Sequence, residues 1–301
     1  MKIELARRCL FAVAVSFPAL LSWGQQAAPD MVLLNGKIFT SDSAHPYVQA
    51  LAIRGERIVA ADSSVKIALL AGPETKRIDL GGHTVVPGFN DAHYHLFVEP
   101  PTFHLQFTSQ EPTWDQVAQA ITAARATVPA DVMIRGEVGP AVLDDARASR
   151  TSLDALAPNH AVYLSTWSEH SAILNSRTIH LLGLREDEPN PRGGTYVRGK
   201  DGRLTGVVRE FAKFRVEMRL NNLTNEADAL KQTREFLASA ARFGITSVQI
   251  MSHPIDPARC EKLFAAAPTQ LRVRIIHFHL TDELPIRPEA TCPEILRRSS
   301  P

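Results

Sequence analysis

Over residues 88–280, short apolar segments rich in β-branched residues alternate with longer segments of helical periodicity. Segments 132–138, 161–167 and 245–251 have the length of buried strands, and 225–244 has the spacing of an amphipathic helix. Such alternation is typical of a parallel sheet whose strands are joined by right-handed crossover helices. The sequence therefore predicts an α/β fold, for which a (β/α)₈-type barrel is the natural candidate.

Two segments inside this region carry further signals. Residues 170–184 have the composition of a helix that ends at Gly183. Residues 191–211 contain two glycine-rich turn signals, which predict a β-hairpin. Because this hairpin interrupts the alternation of helices and strands, we expect it to be an insertion over one mouth of the barrel.

The preceding region, 25–87, consists of short strand-like segments separated by tight turns. Asn35-Gly36 and Gly55-Glu56 each stand between apolar runs and predict two β-hairpins. We expect this region to form part of a small β-sandwich with no chemistry of its own.

The N-terminus has the pattern of an export signal. Lys2, Arg7 and Arg8 precede an apolar run over 9–23, which is too short for a comfortable membrane span. The pattern predicts a signal peptide over 1–24 and an exported protein, periplasmic or secreted, with no stable membrane span after cleavage. An uncleaved N-terminal anchor is the alternative.

The overall composition excludes several classes of function. The chain has 33 basic and 32 acidic residues, a net charge of +1, and 45% hydrophobic residues. No basic stripe indicates nucleic-acid binding, and the hydrophobic content is ordinary for a globular domain. Cys260 and Cys292 would remain after signal cleavage, and two cysteines do not make a disulfide framework. We expect Cys260 to lie on a helix.

The segment 85–96, VVPGFNDAHYHL, ends an apolar run with two histidines. Side chains two apart on a strand point to the same face, so His93 and His95 are expected to project together. Two neighbouring imidazoles suit a divalent metal ion, and Asp91 could share their face. The alternative is a pair of packed or surface histidines, which a His-x-His pattern alone does not exclude.

This segment resembles the first-strand signature of the amidohydrolase superfamily, with Asn90 where an apolar β-branched residue is more usual. The segments AVYLSTWSEHSAILNS, GGTYVRGKDGRLTGVVRE and ARFGITSVQIM resemble, in the same order, the branch that includes N-substituted formamide deformylases and related amidohydrolase-3-type enzymes. The likeness runs from about residue 30 to residue 280. In this branch Asp-Gly more often precedes the histidine that corresponds to His170, whereas this chain has Ser168-Glu169.

The resemblance implies hydrolysis of a non-peptide, amide-like C–N bond in a small molecule. It implies a divalent metal, with zinc as the first choice, that activates water and polarises the carbonyl. His93 and His95 would be metal ligands. Glu210 would be a further ligand or an active-site carboxylate, and His170 would contact the substrate. A solvated hairpin glutamate and a capping histidine are the alternatives for these last two residues.

The C-terminal tail, 281–301, is rich in proline and polar residues and shows no periodicity. The resemblance implies a bridging carboxylate or carboxylated lysine from a middle strand, two more histidines and an aspartate, all from strands expected after residue 280. These expectations suggest a truncated enzyme, and a non-catalytic remnant with a partial metal site is the rival hypothesis. His253, at a strand end, and the pair His277 and His279 are weaker site candidates.

Overall fold

The computed structural model describes residues 27–252 and 254–276, which divide into two compact units with the boundary between Pro87 and Gly88. His253, His277 and His279 lie outside the described residues. No helix in the described ranges is long and apolar enough to cross a membrane. The elements of the first unit are β1 (Met31–Leu34), β2 (Lys37–Phe39), β3 (Tyr47–Val48), β4 (Ala50–Arg54), β5 (Arg57–Asp62), α1 (Ser64–Ala68), β6 (Lys76–Asp79) and β7 (Thr84–Val85).

The first unit contains two small sheets, with strand orders β5-β4-β1-β6 and β3-β2-β7. The hairpin predicted at Gly55 is present, with Arg54 paired to Arg57. The hairpin predicted at Asn35 is wrong. Asn35 does adopt the left-handed conformation of a turn, with φ 58°, but β1 and β2 lie in different sheets. A turn residue fixes the local direction of the chain, whereas distant strands decide which partners each strand takes.

The second unit mixes helices and strands throughout. Its elements are β8 (Phe89–Tyr94), β9 (Thr102–His104), α2 (Trp114–Thr127), β10 (Met133–Val138), α3 (Pro140–Asp144), α4 (Arg150–Leu156), β11 (Val162–Thr166), β12 (Ser171–Leu174), α5 (Ser176–Leu181), β13 (Gly194–Arg198), β14 (Leu204–Glu210), α6 (Phe211–Asn222), α7 (Glu226–Arg242), β15 (Ile245–Met251), α8 (Pro257–Ala266) and β16 (Arg272–Ile276).

These strands form two sheets. β9, β10 and β11 are parallel, and their sheet continues through the antiparallel strands β12, β14 and β13. β8, β15 and β16 form a separate parallel sheet of three strands. The predicted α/β class is therefore confirmed. The described residues hold parallel strands and connecting helices, but they do not close into a barrel.

The helix predicted over 170–184 is wrong in its first part, because Ser171–Leu174 is the strand β12. Three successive side chains of that strand, Ala172 to Leu174, are fully buried, as suits a strand inside a sheet rather than one face of a helix. The helix α5 begins only after Asn175, whose side chain accepts a hydrogen bond from the Thr178 backbone N–H.

The predicted hairpin is present as β13 and β14. It is not an insertion lying over a barrel mouth, because β14 pairs with β12 and so extends the six-stranded sheet at its edge. The sequence pattern predicts a helix over the residues of β12. As a strand, β12 forms hydrogen bonds with β14, and the hairpin therefore becomes part of the sheet.

Candidate active site

His93 and His95 lie at the end of β8, beside the end of β15. The two strands are parallel, with Tyr94 opposite Ile250, so their carboxyl ends meet at one edge of the sheet. The Nε2 atoms of His93 and His95 are 3.0 Å apart. The two rings thus converge at the edge of a parallel sheet where ligands commonly bind in α/β folds.

A backbone contact fixes the orientation of His95. Its Nδ1 lies 3.1 Å from the carbonyl oxygen of Met251, at the end of β15. A carbonyl only accepts hydrogen bonds, so Nδ1 carries the proton, and Nε2 of the neutral ring keeps its lone pair. Burial lowers the pKa of His95, and the charge of His93 acts in the same direction. The ring is therefore held in the tautomer that can bind a metal through Nε2.

The pair fits a divalent cation as two of its ligands. With metal–nitrogen distances of about 2.0–2.1 Å, two nitrogen atoms at this separation can bind one ion. Asp91 is not placed with the two histidines as a third ligand, and its Oδ1 atom accepts the backbone N–H of His93 at 3.1 Å. Within 27–252 and 254–276, no group of three or more histidine, cysteine or acidic side chains is placed to hold a metal.

The structure brings Glu210 and His170 together. β12 pairs with β14 so that Ser171 lies opposite Arg209, which places the residues flanking this pair side by side. The Glu210 Oε2 atom is 2.9 Å from His170 Nδ1, and the Glu210 backbone N–H donates to the His170 carbonyl. Both side chains are more than half exposed. A carboxylate that orients an imidazole is an arrangement suited to proton transfer.

Two charged residues, Lys213 and Glu217, escaped sequence analysis, and a third, Glu169, was noted there only as a departure from Asp-Gly. The side chain of Lys213 is fully buried on α6 and forms ion pairs with Glu169 and, at 2.8 Å, with Glu217. The Tyr163 hydroxyl donates to Glu217 at 3.2 Å. Helix α6 was not predicted, although Ala212, Val216 and Leu220 have helical spacing and are buried. The i, i+4 spacing of Lys213 and Glu217 was the available signal.

This ion cluster acts on one of the two histidines. The charge of Glu169 raises the pKa of the His95 imidazole, and the charge of Lys213 lowers it. Burial raises the pKa of the Glu217 carboxyl, while Lys213 acts in the opposite direction. The strand that the resemblance expects to carry a bridging carboxylate or carboxylated lysine is expected after residue 280, outside the described residues. Within the described residues, helix α6 carries a buried lysine and a buried carboxylate, Lys213 and Glu217.

Comparison with known proteins agrees with these features. The model of the amidohydrolase family matches residues 76–291. This chain belongs to the amidohydrolase family. The resemblance inferred from the sequence is thereby confirmed at the level of the family.

Named relatives of this chain include the N-substituted formamide deformylase of Arthrobacter pascens, which is 31% identical over 187 residues, or 61% of this chain and 34% of that protein. The putative amidohydrolase YtcJ of Bacillus subtilis (strain 168) is 28% identical over 148 residues, or 47% and 27% of the two chains. The chain thus spans about a third of the length of these curated relatives.

Among solved structures, this chain is similar to an uncharacterized metal-dependent hydrolase from Pyrococcus furiosus. The TM-score is 0.53 at 22% identity, and the match covers 82% of this chain and 49% of that one. A second such hydrolase, from Pyrococcus horikoshii OT3, gives a TM-score of 0.54 at 20% identity, covering 82% and 48%. These likenesses support the fold.

Proposed function

We propose that this amidohydrolase is a metal-dependent hydrolase that cleaves non-peptide C–N bonds in small amide-like molecules. The observation that carries the proposal is the convergence of His93 and His95 at the carboxyl edge of parallel strands, with Nε2 atoms 3.0 Å apart. Family membership supports the reaction class. We propose zinc as the ion, because two imidazole nitrogens are ligands that zinc prefers.

The residues around the site have different roles in the proposed reaction. His93 and His95 would hold a divalent ion, which would supply Lewis-acid activation of water and of the substrate carbonyl. Met251 holds His95 in its ligating tautomer through the carbonyl contact. The Glu210 carboxylate fixes the ring of His170 through Nδ1, which leaves the His170 Nε2 to receive a proton and return it to the leaving nitrogen.

Two wider features belong to the same proposal. We propose that the parallel strands are part of a (β/α)₈-type barrel, because β8, β15 and β16 run parallel with helices between them in sequence. We also propose that the protein is exported, on the basis of Lys2, Arg7 and Arg8 and the apolar run over 9–23. A non-catalytic chain with at most partial metal or partner binding is the rival hypothesis.

The test is hydrolysis of a series of N-alkylformamides by the zinc-loaded chain, followed by release of formate and amine. We expect turnover to be lost, by roughly a hundredfold or more, in a His93→Ala/His95→Ala double variant, because the metal then lacks both imidazole ligands. His180→Ala is the matched control, since His180 is exposed on α5. Unchanged turnover in the double variant would contradict the proposal. Metal binding without turnover in the parent chain would support the rival hypothesis.

A further inference from the structure

A buried ammonium group in the second unit is capped by a carboxylate that reaches it from the surface. The Lys213 side chain is 0% exposed, whereas that of its partner Glu169 is 49% exposed. No other lysine in the described ranges is buried. The Glu169 carboxylate is therefore the part of this cluster that solvent, or a dissolved molecule, can reach.

Lys213 does not depend on Glu169 for a counter-charge. Glu217 lies 2.8 Å from the Lys213 Nζ atom and is 1% exposed, so it remains a partner whatever Glu169 does. Burial raises the pKa of the Glu217 carboxyl. The negative charge of Glu169 also raises it, because the two carboxylates repel each other. The Glu217 Oε2 atom has no hydrogen-bond partner among the described residues. The cluster thus sets two carboxylates, Glu169 and Glu217, against the Lys213 ammonium. Glu217 is also under the influence of the Arg135 charge.

The backbone at Glu169 is strained. Its φ is 64°, in the left-handed region that disfavours residues with a side chain. The loop is nevertheless tight, because the Glu169 N–H donates to the Thr166 carbonyl, and Thr166 Oγ1 accepts the N–H of Ser171. Strain retained at a non-glycine residue is a pointer to function. Here it places a carboxylate over a buried ammonium, at the residue that directly precedes His170.

We propose that Lys213 binds a carboxylate of the substrate, and that Glu169 occupies this position when no substrate is bound. The substrate class is a small amide that carries a carboxylate. This inference rests on the proposed function, and it narrows the substrate class from any small amide to an anionic amide. Glu169 directly precedes His170, whose Nδ1 lies 2.9 Å from the Glu210 carboxylate. An anion held by Lys213 would therefore lie near the proposed proton-transfer pair.

The exchange replaces one carboxylate by another. Glu169 turns into the solvent that already reaches half of it, and the substrate carboxylate accepts the hydrogen bonds of the Lys213 ammonium. Lys213 keeps Glu217 throughout, so no buried charge is left unpaired during the exchange. A neutral amide cannot make the same charge-assisted contact, and it therefore gains nothing by displacing Glu169.

Binding of succinamate and succinamide to the full chain tests this inference, because the two amides differ in charge but hardly in shape. Isothermal titration calorimetry measures both affinities in the parent chain and in Glu169→Gly, where glycine accepts the positive φ without strain. We expect the parent to prefer succinamate by about tenfold, and Glu169→Gly to bind succinamate about tenfold more tightly still, with succinamide unchanged.

Glu56→Gly, in an exposed turn of the first unit, removes the same charge elsewhere and should change neither affinity. Glu169→Gln is the second variant, in case glycine impairs folding, and it should also favour succinamate. Equal binding of both amides, or weaker succinamate binding in both Glu169 variants, would overturn the inference. Ammonia release, measured separately, tests hydrolysis, so the failure of one proposal is distinguishable from the failure of the other.

Discussion

Burial decides which single residues of this protein can react. Cys260 lies on α8 with its side chain fully buried, and burial raises the pKa of its thiol to about 12. Only the thiolate reacts readily with alkylating reagents. At pH 8 the pKa lies about four units above the solution pH, so the thiolate is a negligible fraction of Cys260.

We therefore expect iodoacetamide at pH 8 to leave Cys260 unmodified in the native chain and to modify it after denaturation. Mass spectrometry of the Cys260 peptide gives the extent of labelling. Ala265→Cys places a thiol at an exposed position of the same helix and should be labelled in the native state. Native labelling of Cys260 at the rate of that control would show that α8 is not packed as described.

The site residues differ in how far the sequence predicts them. The convergence of His93 and His95 follows from the two-residue repeat of a strand. The partner of His95 does not, because Met251 is 156 positions away and only the pairing of β8 with β15 brings it near. Glu169 was noticed as a departure from Asp-Gly, but its contact with Lys213 depends on a helix that was not predicted.

At the scale of elements, the junction of β12 and β14 supports Glu210 and His170. Gly206 lies in β14 with φ 90°, and a Cβ atom there would stand 2.2 Å from the Leu174 carbonyl oxygen. Only glycine fits so close to the neighbouring strand. The strand that carries Glu210 therefore depends on a residue with no chemistry of its own.

We expect Gly206→Ala to lower the free energy of unfolding by roughly 2–4 kcal/mol, from the strained backbone and the clash together. Gly202→Ala is the control, because Gly202 also has a positive φ, 79°, but open space around it. That change should cost only about 1–2 kcal/mol. Urea denaturation of both variants measures the difference, and equal losses would contradict the packing described for β12 and β14.

The elements that sequence patterns predicted well are those with a single buried face. Helix α7 buries Ala229, Thr233, Leu237 and Ala240 at helical spacing, and the predicted helix nearly matches its bounds. β12 was missed because a fully buried strand and a buried helix have the same apolar composition over four residues. Its partners β11 and β14 decide between the two.

At the scale of the whole molecule, local patterns predict the α/β class but not the sheet order. β8 pairs with β15 across more than 150 positions, while β9 joins a different sheet. No periodicity along the chain encodes that choice, which depends on how the helices pack. Because a metal bound by His93 and His95 would sit where β8 and β15 end together, metal binding should report on the correct pairing of these strands.

The most direct test of the central claim is the zinc content of the purified chain after dialysis, measured by inductively coupled plasma mass spectrometry. The parent chain and His180→Ala should retain about one zinc ion each, while the His93→Ala/His95→Ala variant should retain essentially none, because it lacks both imidazole ligands. The same zinc content in the double variant and the parent would contradict the claim that these two histidines form the metal site.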